Sequence, residues 1–506
     1  MHLMKEQGLG KKIVGNIIWN FFGQGWLLIL AFIATPFIVH GLEVYLYGIY
    51  ILISVVIDYF AFLQFGMGAA SVKYIAQYLA QGDEDKIRMI FWTGAVSHFF
   101  MGLLGMIILI VFAPLFVDWF FHVPSDLRET ALFALRVGSI GFLISMLSGM
   151  TSGVIRALGR FDLLNIMGII FGTLQIAATV LLLILGFSLK EIIIANVAVQ
   201  SAGLYCYWVY AKRLLPFLSK PVWDTNMLLH LFKFGGFVTI SGIVGPILTN
   251  IEKIFLTALR SVSALTYYAV PFSLINRLSV IPSSFSSVLF PTFSFLQESD
   301  QEQINRDLHY RSTLYLFLIY IVPLVFFIFF GRPFLAWWMG NDFAEKSTMI
   351  LIILGFAGLI NAVAYPSITC LQAMGKPQLP ATFHVIEIFL YIPAGYFLIK
   401  TYGGIGAAFA WFLRVLVDTI LLQWASCRLL RVSLFRWGGQ IMYRGALPIF
   451  IISVLFLVLR SFELSLLHPV NIGGILLIFI IYSCVLWKWV LDADTRGRFL
   501  EILKGA

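Results

Sequence analysis

Five ionisable residues lie near the middle of long apolar stretches of this sequence, where charged side chains are rare and costly. They are Asp58, Arg277, Glu387, Arg414 and Asp418. A carboxylate at such a depth can carry a proton or bind a cation, and an arginine can hold a phosphate group in a bidentate fork. Each residue is therefore a candidate for a ligand pathway, or for an ion pair that joins two helices.

Arg277 stands in the segment PFSLINRLSVIPSS, beside Asn276 and before several serines. Its guanidinium group suits an anionic ligand such as a phosphate. The internal repeat described below makes Asp58 its counterpart in the first half of the chain. Two hypotheses stay open: the two residues form a structural ion pair, or one or both face a cavity and meet a ligand.

Three further ionisable residues complete the candidates. Glu387 has His384 one turn before it, and a buried carboxylic acid in that setting is a candidate carrier of a coupling proton; a neutral, hydrogen-bonded glutamic acid is the alternative. Arg414 and Asp418 are four residues apart, so an ion pair along one helix would explain them without any function. Arg136 lies in the outer third of its apolar stretch and is a weaker cationic candidate.

A polar stripe opens the first apolar stretch, in the segment GNIIWNFFGQGW. Asn16, Asn20 and Gln24 are four residues apart, which places their amides in one line on a helix. An amide facing lipid would cost several kcal/mol, roughly 2–7. The stripe therefore predicts a hydrated cavity, or a helix contact made through amide hydrogen bonds.

The composition indicates a polytopic membrane protein built only of helices. Of the 506 residues 60% are hydrophobic and 12% are charged, whereas soluble domains have roughly 45–50% apolar and about 25% charged residues. A membrane span needs about 20 apolar residues. We predict about fourteen spans, at residues 14–40, 47–72, 90–113, 129–153, 163–186, 190–211, 232–252, 265–291, 313–331, 347–371, 381–400, 404–426, 444–461 and 470–490.

The distribution of basic residues predicts the orientation. With the N-terminus in the cytoplasm, 23 of the 34 lysines and arginines fall on the cytoplasmic side and nine on the outer side, as the positive-inside rule requires. Both termini are then cytoplasmic. The short loops argue against an enzyme with a catalytic outer domain, and the sequence has neither a GxxxxGK[ST] phosphate loop nor the residue spacing of a metal site.

Three sequence matches indicate an internal repeat. Ala157–Arg160 (ALGR) resembles Ala373–Lys376 (AMGK) at an offset of 216 residues, and the segments around Pro114 and Pro333 match at an offset of 219. Aromatic residues open the second and the eighth predicted span at about the same offset. We therefore predict an N-lobe of six helices at 1–215, a C-lobe of six helices at 216–430, and two further helices with a cytoplasmic tail at 431–506. A cleft lined by spans 1, 2, 7 and 8 would collect much of the unusual polarity.

Several short segments together resemble a known family. They are GLEVYLYGIY before the second span, RALGRFD after the fourth, SSVLFPTFSFLQ closing the eighth and LQAMGKPQ after the tenth. Over roughly residues 10–430 the chain is similar to the polysaccharide (Wzx-type) flippases of the multidrug/oligosaccharidyl-lipid/polysaccharide exporter superfamily. The resemblance implies two pseudo-symmetric six-helix bundles in a MATE-like V that alternate between inward-open and outward-open states.

The resemblance also implies a function. The chain would be a transporter, not an enzyme, that flips an undecaprenyl-pyrophosphate-linked oligosaccharide from the inner to the outer leaflet of a bacterial or archaeal cytoplasmic membrane, for surface polysaccharide biosynthesis. It would need no cofactor apart from H⁺ or Na⁺ coupling. Its partners would be the lipid-linked glycan, membrane lipids and other polysaccharide-assembly membrane proteins, with no nucleic acid.

On this reading each candidate has a role. Arg277 would contact the pyrophosphate, with Arg414 and Arg136 as weaker cationic candidates, and the amide stripe would bind sugar hydroxyls. Coupling or gating would fall to the remaining ionisable residues, which are Asp58, Glu387, Asp418 and His384. Two alternatives stay open: a cation-coupled multidrug extruder, which the acidic residues favour, and a membrane glycan polymerase or ligase.

Overall fold

A computed structural model of the chain describes residues 2–64, 66–298, 302–462, 464–490 and 496. It gives the backbone alone for residues 2–24, 61, 69, 80, 232–246, 291 and 296–298. Throughout these ranges the secondary structure is helical, without a strand. The fold class predicted from composition, an all-α membrane protein, is confirmed.

The chain divides into two compact units, Met1–Thr266 and Tyr267–Ala506. The described part of the first unit contains seven complete helices and the start of an eighth. These are α1 (His2–Phe60), α2 (Met67–Gln81), α3 (Glu84–Pro114), α4 (Arg128–Ala157), α5 (Phe161–Ile184), α6 (Leu189–Leu214), α7 (Thr225–Leu259) and α8 (Val262–Arg277). Its core lies where α2, α3, α4 and α6 meet, around Phe91 and Met150.

The second unit continues with six more helices in its described part. These are α9 (Val280–Glu298), α10 (Glu302–Met339), α11 (Asn341–Ala373), α12 (Gln378–Leu429), α13 (Leu434–Ser461) and α14 (Pro469–Val485). A large apolar core forms where α10, α11, α13 and α14 pack together, around Phe330, Phe456 and Tyr482.

Eleven helical segments of the described residues are long and apolar enough to cross a membrane. Two of these segments, in α1 and α12, each cover two of the predicted spans. Within each, only one residue departs from helical backbone angles, Glu43 in α1 and Gly403 in α12, so the two spans form one continuous helical segment with a kink. The predicted number of fourteen spans and the predicted lobe boundaries stay predictions.

Two predicted spans that are repeat partners are both broken. In the second span, the α-helix ends at Phe60 and a 3-10 turn follows at Ala61–Gln64. The α-helix resumes as α2 after Gly66, whose φ is 62°. The eighth span is interrupted between Arg277, the last residue of α8, and Val280, the first of α9. Asp58 and Arg277 therefore both stand beside a break in their helix.

The clearest sequence repeat corresponds to a repeated helix cap. Gly159 and Gly375 follow α4 and α11 with φ values of 68° and 72°, a conformation that glycine adopts without steric cost. In both caps the next amide bonds back five residues, from Arg160 to Ile155 O and from Lys376 to Leu371 O. This is the Schellman pattern, which satisfies carbonyls at a helix end.

Candidate functional site

The two arms of α12 bring four of the predicted site residues together. Gly403, with φ 56° and ψ −128°, interrupts the helix, and these angles favour a residue without a side chain. Two side-chain contacts join the part of α12 before this glycine to the part after it, and they run in reverse order along the two parts, so the two arms form an antiparallel hairpin. The four residues, named here the α12 cluster, are His384, Glu387, Arg414 and Asp418.

One ion pair and one histidine–carboxylate contact cross the hairpin in this cluster. Arg414 Nη1 lies 3.8 Å from Glu387 Oε2, and His384 Nε2 lies 3.6 Å from Asp418 Oδ1. The expected pair between Arg414 and Asp418 along one helix is therefore wrong. Each of these two residues contacts the opposite arm instead, because the hairpin places Glu387 and His384 closer to them.

The α12 cluster is buried, and its hydrogen bonding is incomplete. Glu387 is 1% exposed and Asp418 is 5% exposed. Both oxygens of Glu387, Oδ1 of Asp418 and Nε of Arg414 have no hydrogen-bond partner among the described residues. The cluster holds two carboxyl groups and one guanidinium group, so one proton, on His384 or on a carboxyl group, or one bound cation is needed to balance the charge. Burying an unbalanced charge is strongly unfavourable.

A cavity of about 510 Å³, lined by apolar and several polar side chains, lies in the first unit, within the size range of ligand pockets. We call it the N-terminal cavity; α1, α4, α5 and α6 form its walls. Asp58 is an exposed residue in this wall. The other polar residues that line it are Tyr50, Ser54, Ser145, Ser148, Gln175, Asn196, Gln200 and Tyr207.

Asn196 presents an unused acceptor beside this cavity. Its side chain is 5% exposed and its Nδ2 donates to Tyr50 Oη over 3.5 Å, while its Oδ1 has no partner among the described residues. Gly141 also lines the cavity, and a Cβ atom there would lie 3.0 Å from Gln200 Oε1. The small residue thus leaves room for the amide of Gln200.

Asp58 has a basic neighbour within its own unit, since it interacts electrostatically with Lys253 of α7. Lys253 lies within α7 and donates to Asn250 Oδ1 over 2.7 Å. The alternative partner, Arg277, belongs to the second unit, so that pairing stays a prediction.

The remaining predicted residues are placed as follows. Arg277 is half-buried at the end of α8, and Arg136 is exposed on α4. Asn16, Asn20 and Gln24 lie in α1, but their side chains fall outside the described residues, so the proposed stripe is not tested. The structure adds cavity residues that were not predicted from the sequence, among them Asn196 and Gln200. Their spacing of four residues on one span is the same signal that identified the stripe.

Comparison with known proteins gives consistent relatives. The family described as "Polysaccharide biosynthesis protein" matches residues 42–375. A candidate O-antigen transporter of Shigella flexneri is 22% identical over 420 residues, which cover 83% of this chain and 99% of that protein. The Bacillus subtilis membrane protein EpsK, itself uncharacterised, is 21% identical over 357 residues, which cover 69% of each chain.

Solved structures share the fold at low sequence identity. The lipid II flippase MurJ in an inward closed conformation superposes with a TM-score of 0.71 at 15% identity, covering 95% of this chain and all of MurJ. A multidrug resistance MATE family transporter in an inward-facing conformation gives a TM-score of 0.67 at 14% identity, covering 80% of this chain and 94% of that protein. The helical architecture is thus that of the MurJ and MATE transporters.

Proposed function

The chain belongs to the polysaccharide biosynthesis protein family, and from this premise we propose that it moves a lipid-linked oligosaccharide across the membrane. In full, an oligosaccharide on undecaprenyl pyrophosphate would pass from the inner to the outer leaflet of a bacterial or archaeal cytoplasmic membrane. The transport would proceed by alternating access. The relative from Shigella flexneri and the MurJ-like fold support this proposal.

The N-terminal cavity is the observation that carries the proposal. Sugars present many hydroxyl groups; amides and tyrosines can both donate to them and accept from them, and a carboxylate accepts from them. Gln175, Asn196, Gln200 and Asp58 line one cavity, together with apolar side chains. A polar lining at membrane depth is tolerated where it faces water or a polar ligand. The cavity is thus suited to hold part of a glycan.

Arg277 is the proposed contact for the pyrophosphate, because a guanidinium group binds phosphate oxygens in a planar fork. Its position at the interruption between α8 and α9 supports this role. Helix interruptions at membrane depth are found where the backbone faces protein or a water-filled cavity.

The α12 cluster is the proposed coupling site. Its two carboxylates and single guanidinium require one more positive charge, which a proton or Na⁺ would supply. Such an ion shifts the balance between inward-open and outward-open states only if it binds the two states with different affinity. Other polysaccharide-assembly membrane proteins are the proposed partners.

One specific observation favours a second function. A cation-coupled extruder of organic molecules would use acidic groups to bind a cationic cargo, and Asp58 lines the N-terminal cavity. The two functions differ in the charge of their cargo.

One experiment separates them. The purified protein in proteoliposomes would be assayed for movement of an undecaprenyl-linked oligosaccharide between leaflets, beside Arg277→Ala and the control Arg332→Ala, which changes an exposed arginine of α10. We expect transport by the wild type and by Arg332→Ala, and loss in Arg277→Ala. Extrusion of a cationic dye without any glycan transport would instead support the extruder.

A further inference from the structure

A second polar pocket, of about 520 Å³, lies in the second unit, away from the α12 cluster. Its walls are formed by the first turns of α10, the connection between α12 and α13, the first turns of α13, and Val490, which follows α14. We call it the arginine pocket, since five arginines line it: Arg306, Arg311, Arg431, Arg436 and Arg444.

Arginine dominates the charged side chains that line the arginine pocket. Among the described lining residues the acidic one is Asp307. Glu302 lies beside the pocket and pairs with Arg306 over 2.9 Å and with Arg431 over 3.6 Å. The described part of the pocket therefore brings five arginines together with two carboxylates. Like charges brought together in one concave site repel each other, and a bound anion relieves that repulsion.

One arginine is held in the pocket by an unusual backbone conformation. Arg431 follows α12 with φ 55°, a left-handed conformation that is unfavourable for a residue with a side chain. Its cap has the Schellman pattern, with Arg431 N bonded to Arg428 O and Val432 N bonded to Cys427 O. The equivalent position carries glycine after α4 and α11. Strain of this kind is characteristic of functional positions.

The wall of the pocket is rigid. Trp437 is 7% exposed and stacks on His309 with ring centroids 4.3 Å apart. His309 is fully buried and its Nε2 lies 3.0 Å from Ser367 Oγ of α11. Arg444 lies over the ring of Tyr310, with its guanidinium carbon 5.7 Å from the centroid. These contacts join α10 to α11 and α13, the helices that surround the arginines.

We propose that the arginine pocket binds a phosphate group, and that an anionic phospholipid headgroup supplies it. Guanidinium groups bind phosphate in bidentate forks. Leu314 and Val490 line the same pocket and belong to an apolar cluster with Leu318, which offers a surface to an acyl chain next to the charged mouth. All five arginines fall on the side that the basic-residue count predicts to be cytoplasmic, and basic pockets between helix ends on that side bind lipid headgroups.

The test uses the full-length protein purified in detergent. Native mass spectrometry would measure the binding of dioleoyl phosphatidylglycerol and of dioleoyl phosphatidylcholine, with and without millimolar inorganic phosphate. The double variant Arg436→Gln/Arg444→Gln is compared with Arg332→Gln/Lys376→Gln, which removes the same charge from exposed positions outside the pocket. We expect the pocket variant to bind the phosphatidylglycerol roughly 30-fold more weakly, and the control variant to bind it as the wild type does.

The outcomes decide both the site and the source of the phosphate. Equal loss in the two double variants would overturn the site, since it would leave only a general charge effect. Displacement of the phosphatidylglycerol by inorganic phosphate at the same concentration would reassign the pocket to a soluble phosphate. If the glutamine variant does not fold, Arg436→Lys/Arg444→Lys replaces it: it keeps the charge but loses the bidentate fork, so unchanged lipid selectivity would contradict recognition by guanidinium groups.

Discussion

Glu387 and Arg414 face each other across the two arms of α12, with 3.8 Å between Oε2 and Nη1 and no hydrogen bond to either oxygen of the carboxylate among the described residues. The pair is buried, but its nitrogen–oxygen distance is longer than that of a hydrogen-bonded ion pair. A buried pair of this kind adds little to stability compared with apolar packing, in keeping with the coupling role proposed above for this cluster.

The first prediction concerns the balance of charge in the α12 cluster. Arg414→Gln leaves Glu387 and Asp418 without their arginine, and we expect a loss of about 3–5 kcal/mol in the free energy of unfolding. Glu387→Gln leaves Arg414 with Asp418 one turn away, and we expect a much smaller loss. Thermal unfolding of the detergent-solubilised variants measures the difference. Equal stability of the two variants, or the reverse order, would show that the cluster has no acidic excess.

The second prediction concerns the N-terminal cavity and uses two glycines of α4. A methyl group at Gly141 would meet Gln200 Oε1 at 3.0 Å and move that amide, whereas nothing lies within 4 Å of a methyl group at Gly149. We expect Gly141→Ala to reduce glycan transport severalfold. Gly149→Ala should transport normally, with a gain in stability of up to about 1 kcal/mol from helix propensity.

The comparison is made with the leaflet assay in proteoliposomes, at equal protein incorporation. If both alanine variants transport as the wild type does, Gln200 has no part in binding. If both fail while remaining folded, the effect lies in α4 as a whole and not in the cavity.

The third prediction tests the hairpin that builds the α12 cluster. A Cβ atom at Gly406 would overlap the carbonyl oxygen of Leu398 on the opposite arm, whereas a Cβ atom at Gly404 would meet only the end of the Ile350 side chain. We expect Gly406→Ala to cost about 3 kcal/mol or more of stability, because the backbone of one arm must move. Gly404→Ala should cost less, since Ile350 can change its rotamer. A milder effect at Gly406 than at Gly404 would contradict the close approach of the two arms.

The fold class could be predicted from the sequence, because apolar stretches of span length and sparse charge leave few alternatives. The cap repeat at Gly159 and Gly375 could be predicted for a similar reason: a left-handed cap selects glycine, so the structure leaves a mark in the sequence. The interruption beside Asp58 carries one such glycine, Gly66 with φ 62°, and the one beside Arg277 carries none, but both spans read as continuous apolar segments.

The partners in the α12 cluster could not be predicted from spacing alone. Arg414 and Asp418 suit a pair along one helix, and that local rule gave the wrong partner. Glu387 lies far from Arg414 in sequence, and their contact depends on how tightly the arms approach at Gly406. The N-terminal cavity was missed for another reason: the search followed ionisable residues, while most of the polar lining consists of amides and hydroxyls such as those of Gln175 and Asn196.

The last prediction concerns coupling. If the α12 cluster takes up the coupling ion, an imposed H⁺ or Na⁺ gradient should accelerate glycan transport by the wild type. Glu387→Gln removes the acidic excess, so we expect it to lose this response while it still equilibrates the glycan between leaflets without a gradient. Glu345→Gln, which changes an exposed acid of α11, serves as the control and should respond as the wild type does.

A parallel measurement on Asp58→Asn decides between the two acidic candidates. A gradient response that survives in Glu387→Gln but disappears in Asp58→Asn would move the coupling ion to the N-terminal cavity. Loss in Glu387→Gln alone would assign it to α12, where two buried carboxyl groups lie in one cluster with a single arginine. An ion bound at that position can bias alternating access through the hairpin, since its binding changes the charge between two arms that pack against each other.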